Sequence, residues 1–175
     1  MRFEAEHRIP APVDSVIALL LDPTFHLELG LPDLAQPEVL DHGDDEHALL
    51  RLRYEFVGEL DPIARRLLGG RRLTWVQELR IDRPARTGRL TFATEADPDR
   101  LHGSADVTFV PEDGETLRRF DGEVVVKVPV LAGMAERRIV PGVLRRLDIE
   151  ATALSDRLRA TDSDVPSANN QNSSP

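Results

Sequence analysis

The sequence predicts an α+β domain in which an antiparallel sheet wraps one long C-terminal helix. Three observations carry this. Apolar and polar residues alternate from Arg2 onward and again in several later stretches, the period that places successive side chains on opposite faces of a sheet. Two helix-start signals, at Pro12 and at Asp22-Pro23, follow the first of these stretches. From about Leu131 to Leu158 the apolar residues recur instead at helical spacing, over several turns.

Taken in order, Arg2 to Ile9 places Phe3, Ala5, His7 and Ile9 on one face and its charged residues on the other. Pro10 stops this strand. Pro12 then sits where a helix can begin, Asp14 favours the positive end of its dipole, and Val13, Val16, Ile17 and Leu20 form an apolar stripe. Asp22 reads as the cap of a second short helix, with Pro23 at its first position and Gly30 as its end. Strands resume at Pro37, and Asp41 to His47 reads as a hairpin connection. Ala48 to Gly58 turns Leu50, Leu52, Tyr54 and Phe56 inward, and Asp61 to Leu68 is expected to make one or two helical turns before Gly69-Gly70. Arg72 to Asp82 presents Leu73, Trp75, Gln77, Leu79 and Ile81, and Pro84 to Gly88 turns the chain into Leu90, Phe92 and Thr94. Leu101, Gly103, Ala105, Val107 and Phe109 form the next inward series, Pro111 to Gly114 turns it, and Phe120, Gly122, Val124, Val126 and Val128 complete the sheet. Inward glycines at 103 and 122 suit a sheet that bends sharply. Pro141-Gly142 inside the final helical stretch predicts a kink or local break. Residues 1–160 are thus expected to form one domain, and residues 161–175, which have almost nothing to bury, a disordered polar tail.

Composition narrows the function. Acidic residues outnumber basic ones 31 to 22, a net charge of −9, and no nucleic-acid partner is expected because phosphate backbones reward positive surfaces. There is no cysteine, so disulfides and thiolate metal sites are excluded. The N-terminus has no basic region leading into an apolar core, and no run approaches membrane-spanning length, so a cytoplasmic location without stable membrane insertion is expected.

The opening Arg2-Phe3-Glu4-Ala5-Glu6-His7-Arg8-Ile9-Pro10-Ala11-Pro12, the Asp22-Pro23 helix start, the Val128-Pro129 strand exit and the closing amphipathic helix resemble the START-like, or helix-grip, superfamily. Lipid-transfer domains, pollen allergens and polyketide cyclases belong to it. The likeness spans roughly residues 1–160 and is similar to an uncharacterised bacterial branch. It implies a helix-grip fold: a curved antiparallel sheet of six or seven strands gripping the C-terminal helix, with two short helices after the first strand. It also implies a cavity between sheet and helix that accepts a small hydrophobic molecule, with no cofactor. One such fold hosts many functions.

The candidate ligand-binding residues are His7, Tyr54, Phe56, Trp75, Gln77, Phe92, Phe109, Phe120 and Gly122. The aromatics would supply apolar wall, His7 and Gln77 the few polar contacts, and Gly122 free space. On the plainer reading His7 and Gln77 satisfy each other or buried backbone, and Tyr54 and Trp75 are core residues. The cluster Asp41, His42, Asp44, Asp45, Glu46 and His47 holds metal-competent side chains, but a hairpin tip gives them no rigid geometry, so no metal is assigned. Arg65-Arg66 and Arg71-Arg72 around Leu67-Leu68 make a basic segment suited to an anionic surface or to plain solvent exposure. Most of Arg137-Arg138 and Arg145-Arg146 are expected on the wet face of the helix. The chain lacks a glycine-flanked serine, a His-Glu-x-x-His motif and a glycine-rich phosphate loop, so no enzyme class is nominated. A cyclase-like activity would use His7 with Gln77 or Tyr54, and an interaction module without any ligand is the third reading. The oligomeric state is open.

Overall fold

The computed structural model describes residues 1–60, 65, 70–127 and 132–163. Its elements are β1 (Arg2–Ile9), α1 (Val13–Leu21), α2 (Pro23–Glu28), β2 (Glu38–Gly43), β3 (His47–Glu55), β4 (Thr74–Asp82), β5 (Thr87–Thr94), β6 (Leu101–Glu112), β7 (Glu115–Val126) and α3 (Ala132–Ser163). The seven strands form one antiparallel sheet in the order β1-β7-β6-β5-β4-β3-β2. Every strand after β2 pairs with its predecessor, and β1 joins the far edge beside β7. This is the helix-grip arrangement.

Local chemistry sets the element ends. Ala11 N–H donates to the Ile9 carbonyl at 2.8 Å and Pro12 holds an extended backbone, so the chain leaves β1 and enters α1 within three residues. α1 buries Val13, Val16, Ile17, Leu20 and Leu21. Asp22 then ends α1 and caps α2, its Oδ1 accepting the Thr24 N–H at 2.8 Å, with Pro23 as the first helical residue. Gly30 follows at φ +59°, the left-handed conformation that favours glycine.

Two connections are tighter than the composition suggests. β2 runs through Asp41 and His42 to Gly43, with His42 opposite Leu50, so only Asp44 to Glu46 turn the chain. β2 is an edge strand with almost every residue exposed and a bulge after Val39, and charged side chains cost little in such a place. Likewise β6 continues through Pro111 to Glu112, leaving a two-residue turn at Asp113 (φ 49°) and Gly114 (φ 87°). Positive φ at both positions matches the right-handed twist of the hairpin.

The two inward glycines sit where there is no room for a side chain. A Cβ on Gly122 would lie 2.5 Å from the Ser104 carbonyl oxygen and 2.8 Å from the Phe3 ring, and one on Gly103 would collide with the Phe92 ring. The space above both glycines is therefore occupied by aromatic rings. α3 is unbroken through Pro141, against the expected break. Pro141 and Arg137 both lie on its exposed side, where solvent can reach the carbonyl that proline leaves without an N–H. The expected turns at 61–68 lie outside the described residues apart from Arg65, as do Val128-Pro129 and the chain beyond Ser163.

Candidate functional site: a cavity between sheet and helix

α3 does not lie centrally over the sheet. It packs against β1, β7 and α1, and the concave face of β4 and β5 instead looks into a cavity of about 650 Å³. Trp75 and Gln77 of β4 and Leu90, Phe92 and Thr94 of β5 form one wall. Ala135, Ile139, Val143 and Leu147 of α3 form the facing wall, and Leu31, Leu34 and Phe56 close the side. The rim is charged, with Arg71, Arg72, Arg138 and Arg145 exposed alongside Asp33, Glu59 and Asp97. Arg72 pairs there with Glu55 at 2.8 Å.

The inner end is polar. Arg146 reaches back from α3 to donate to Gln77 Oε1 and, at 2.8 Å, to the Tyr54 hydroxyl, with its guanidinium carbon 4.3 Å from the centre of the Tyr54 ring. Tyr54 stacks on Trp75 at 5.6 Å. Burial pushes the Tyr54 phenol above its ordinary pKa, opposed by Arg146, so it remains a neutral hydroxyl. Behind this end Arg118 and Glu150 form an ion pair at 2.6 Å with both side chains buried. Arg118 also donates to the Leu147 carbonyl at 3.3 Å and to His7 Nδ1 at 3.4 Å. Because arginine only donates, His7 accepts at Nδ1 and donates from Nε2 to Asp148 at 3.0 Å. Burial works to raise the Glu150 pKa, but the charges of Arg118, His26 and Arg146 hold it below the usual carboxylate value. Buried His26 donates from Nε2 to the Leu20 carbonyl at 2.7 Å, and burial pushes its pKa down. His26, Gln77, Arg118, Arg146 and Glu150 meet around a second void of about 20 Å³. His26 Nδ1, Arg118 Nε and Arg146 Nε are buried there without a hydrogen-bond partner.

Of the residues singled out in the sequence, Phe56, Trp75, Gln77 and Phe92 line the large cavity. Tyr54 stands behind Trp75, Phe109 and Phe120 border the small void, and Gly122 lies under Phe3. His7 is separated from Gln77, the one bonded to Arg118 and Asp148 and the other to Arg146. Of the four helix arginines, Arg137, Arg138 and Arg145 are exposed and Arg146 alone turns inward. Arg118, Glu150 and His26 also went unselected. The readable signal was phase, since Arg118 shares the inward register of Phe120 and Val124, and Glu150 falls among Leu147, Ala151 and Leu154. Arg71 and Arg72 of the basic segment reach the rim, whereas Arg66, Leu67 and Leu68 lie outside the described residues. At the hairpin tip Asp44 pairs with Arg83, and His47 lies 3.7 Å from Asp82. Among the described residues no group of three His, Asp or Glu is placed to hold a metal, and no helix is long and apolar enough to cross a membrane.

A family model described as a protein of unknown function, DUF2505, matches residues 4–158. The chain belongs to this family. The match runs from β1 into the last turns of α3, so the cavity is built wholly from DUF2505 sequence. No curated protein matches the chain. Among solved structures, this DUF2505 domain is similar to a Thermus thermophilus protein at 21% identity and a TM-score of 0.64, covering 92% of this chain and 99% of that one. It is similar to a Streptomyces aromatase/cyclase at 17% identity and 0.63, covering 98% and 99%. A Thalictrum flavum norcoclaurine synthase, solved in complex with dopamine and hydroxybenzaldehyde, matches at 14% and 0.61, covering 91% and 87%. At these identities the likeness is one of fold.

Proposed function

We propose that this domain binds a small hydrophobic molecule in the cavity between β4, β5 and α3, as a carrier or sensor. The observation that carries this is the cavity itself. At about 650 Å³ it falls within the roughly 300–1,000 Å³ of ordinary small-molecule sites, and its mainly apolar wall with a few placed polar groups is their usual make-up. The norcoclaurine synthase complex adds that a domain of this fold holds small aromatic molecules. An interaction module with a filled interior fits a cavity of this size poorly. A cyclase-like enzyme would need a proton-transfer group facing the substrate, but His7 sits behind Arg118 and burial moves the pKa of the Tyr54 phenol further above neutral pH.

The test is direct. An environment-sensitive apolar dye should bind the purified protein at one per chain and be displaced by fatty acids or aromatic polyketides. Val143→Trp, which puts a larger side chain on the α3 wall, should abolish dye binding while leaving the fold intact. Gly122→Leu is not a test of the cavity, because the collision there is with Ser104 and Phe3. A folded parent protein that binds no such probe would overturn the reading.

A further inference from the structure

We propose that the molecule held in this cavity carries a carboxylate, and that it enters acid-end first to seat against Arg146. The inference rests on the cavity reading and adds the ligand's chemistry and orientation. It starts from the charges around the inner end. Arg118 and Glu150 pair at 2.6 Å; Glu150 also feels the charge of Arg146 but makes no ion-pair contact with it, and Asp148 is exposed and engaged with His7. Arg146 is different. Its hydrogen-bond partners are the Gln77 amide oxygen and the Tyr54 hydroxyl, both uncharged, and it forms no ion pair among the described residues.

A cation facing an apolar cavity is costly unless an anion or several acceptors meet it. The Tyr54 ring face and two neutral acceptors offset part of that cost. A guanidinium has more N–H groups than these two acceptors use, and the unused ones that can face the cavity are on the terminal nitrogens of Arg146. A carboxylate presents two oxygens at the spacing a guanidinium fork accepts, so it supplies both the missing charge and the missing acceptors. The Gln77 amide, which lines the cavity, stands beside that position, while the buried Tyr54 hydroxyl holds Arg146 from behind. The apolar remainder then lies between Phe92 and Val143 and points toward the rim. Arg71, Arg72, Arg138 and Arg145 are exposed to water, where screening leaves an ion pair worth little; Arg100, which also lines the cavity, is half-buried and is the cation that the experiment separates from Arg146.

The experiment is a calorimetric titration of the full chain at neutral pH with dodecanoate, its methyl ester and dodecanol. The carboxylate should bind about ten- to a hundred-fold more tightly than either neutral compound, the ratio a charged hydrogen-bonded pair supports. Arg146→Gln should erase that ratio, which is read between acid and neutral compounds on the same variant and so does not depend on the variant's overall affinity. The Arg71→Ala/Arg72→Ala double variant and Arg100→Gln should each keep the ratio. Equal affinities in the parent protein overturn the inference with no variant needed, and so does a preference that survives Arg146→Gln or disappears with the rim variant or with Arg100→Gln. If none of the three compounds binds, the cavity reading itself falls; if the neutral ones bind as well as the acid, only the head-group assignment does.

Discussion

Arg118 is fully buried and depends on Glu150, a residue thirty-two positions later on a different element. Removing one member of such a pair leaves the other buried without its counter-charge. Glu150→Gln should therefore lower stability by about 3–5 kcal/mol in urea denaturation, while the double variant Arg118→Met/Glu150→Leu should recover most of the loss. His26 gives the acid side of the pH profile. Its folded pKa lies below the ordinary 6.5, so on acidification the unfolded chain takes up the proton first. Stability should be at its full value above about 6.5 and fall as pH drops from there through the folded pKa. His26→Gln should flatten that part of the profile measured by denaturant midpoint. The decline below about 4.5, where the unfolded chain's Glu150 takes up a proton while the folded one still holds its charge, should remain. These residues were partly legible. Strand phase marks Arg118 as inward, but nothing in a linear pattern says that its partner stands on α3, because the pair is made only when helix and sheet meet.

At the scale of elements, the deciding feature is the sideways position of α3. Periodicity identifies the helix and its apolar stripe, and it identifies the inward face of every strand. It does not encode which strands the helix covers, so the aromatic residues of covered and uncovered strands look alike in the sequence. That is why Phe92 on β5 reaches the cavity while Phe120 on β7, under the helix, does not. The edge strand β2 was obscured for the opposite reason: with both faces exposed it has no alternation to read. The glycines make a sharper test. At Gly122 a methyl group meets backbone at 2.5 Å, whereas at Gly142 it meets nothing within 4 Å. Gly142→Ala should raise stability by roughly 0.5–1 kcal/mol through helix propensity, and Gly122→Ala should lower it, both read from thermal unfolding.

For the whole molecule, a ligand that occupies the native cavity and not the unfolded chain must stabilise the fold by mass action. At a hundred times its dissociation constant it should add about 2.7 kcal/mol and raise the melting temperature accordingly, in proportion to the logarithm of its concentration. Val143→Trp should abolish that increment. The topology has a further consequence, for how the chain is made. The first strand pairs with β7 alone, Arg2 opposite Glu123 and Ile9 opposite Thr116. Each later strand meets its hairpin neighbour almost as soon as it leaves the ribosome, but β1 waits for more than a hundred residues. At about 5–20 residues per second this delay is on the order of ten seconds. During it the apolar face of α1 has neither β7 nor α3 to pack against, so the nascent N-terminal segment is the part of this protein most exposed to chaperones and proteases during synthesis.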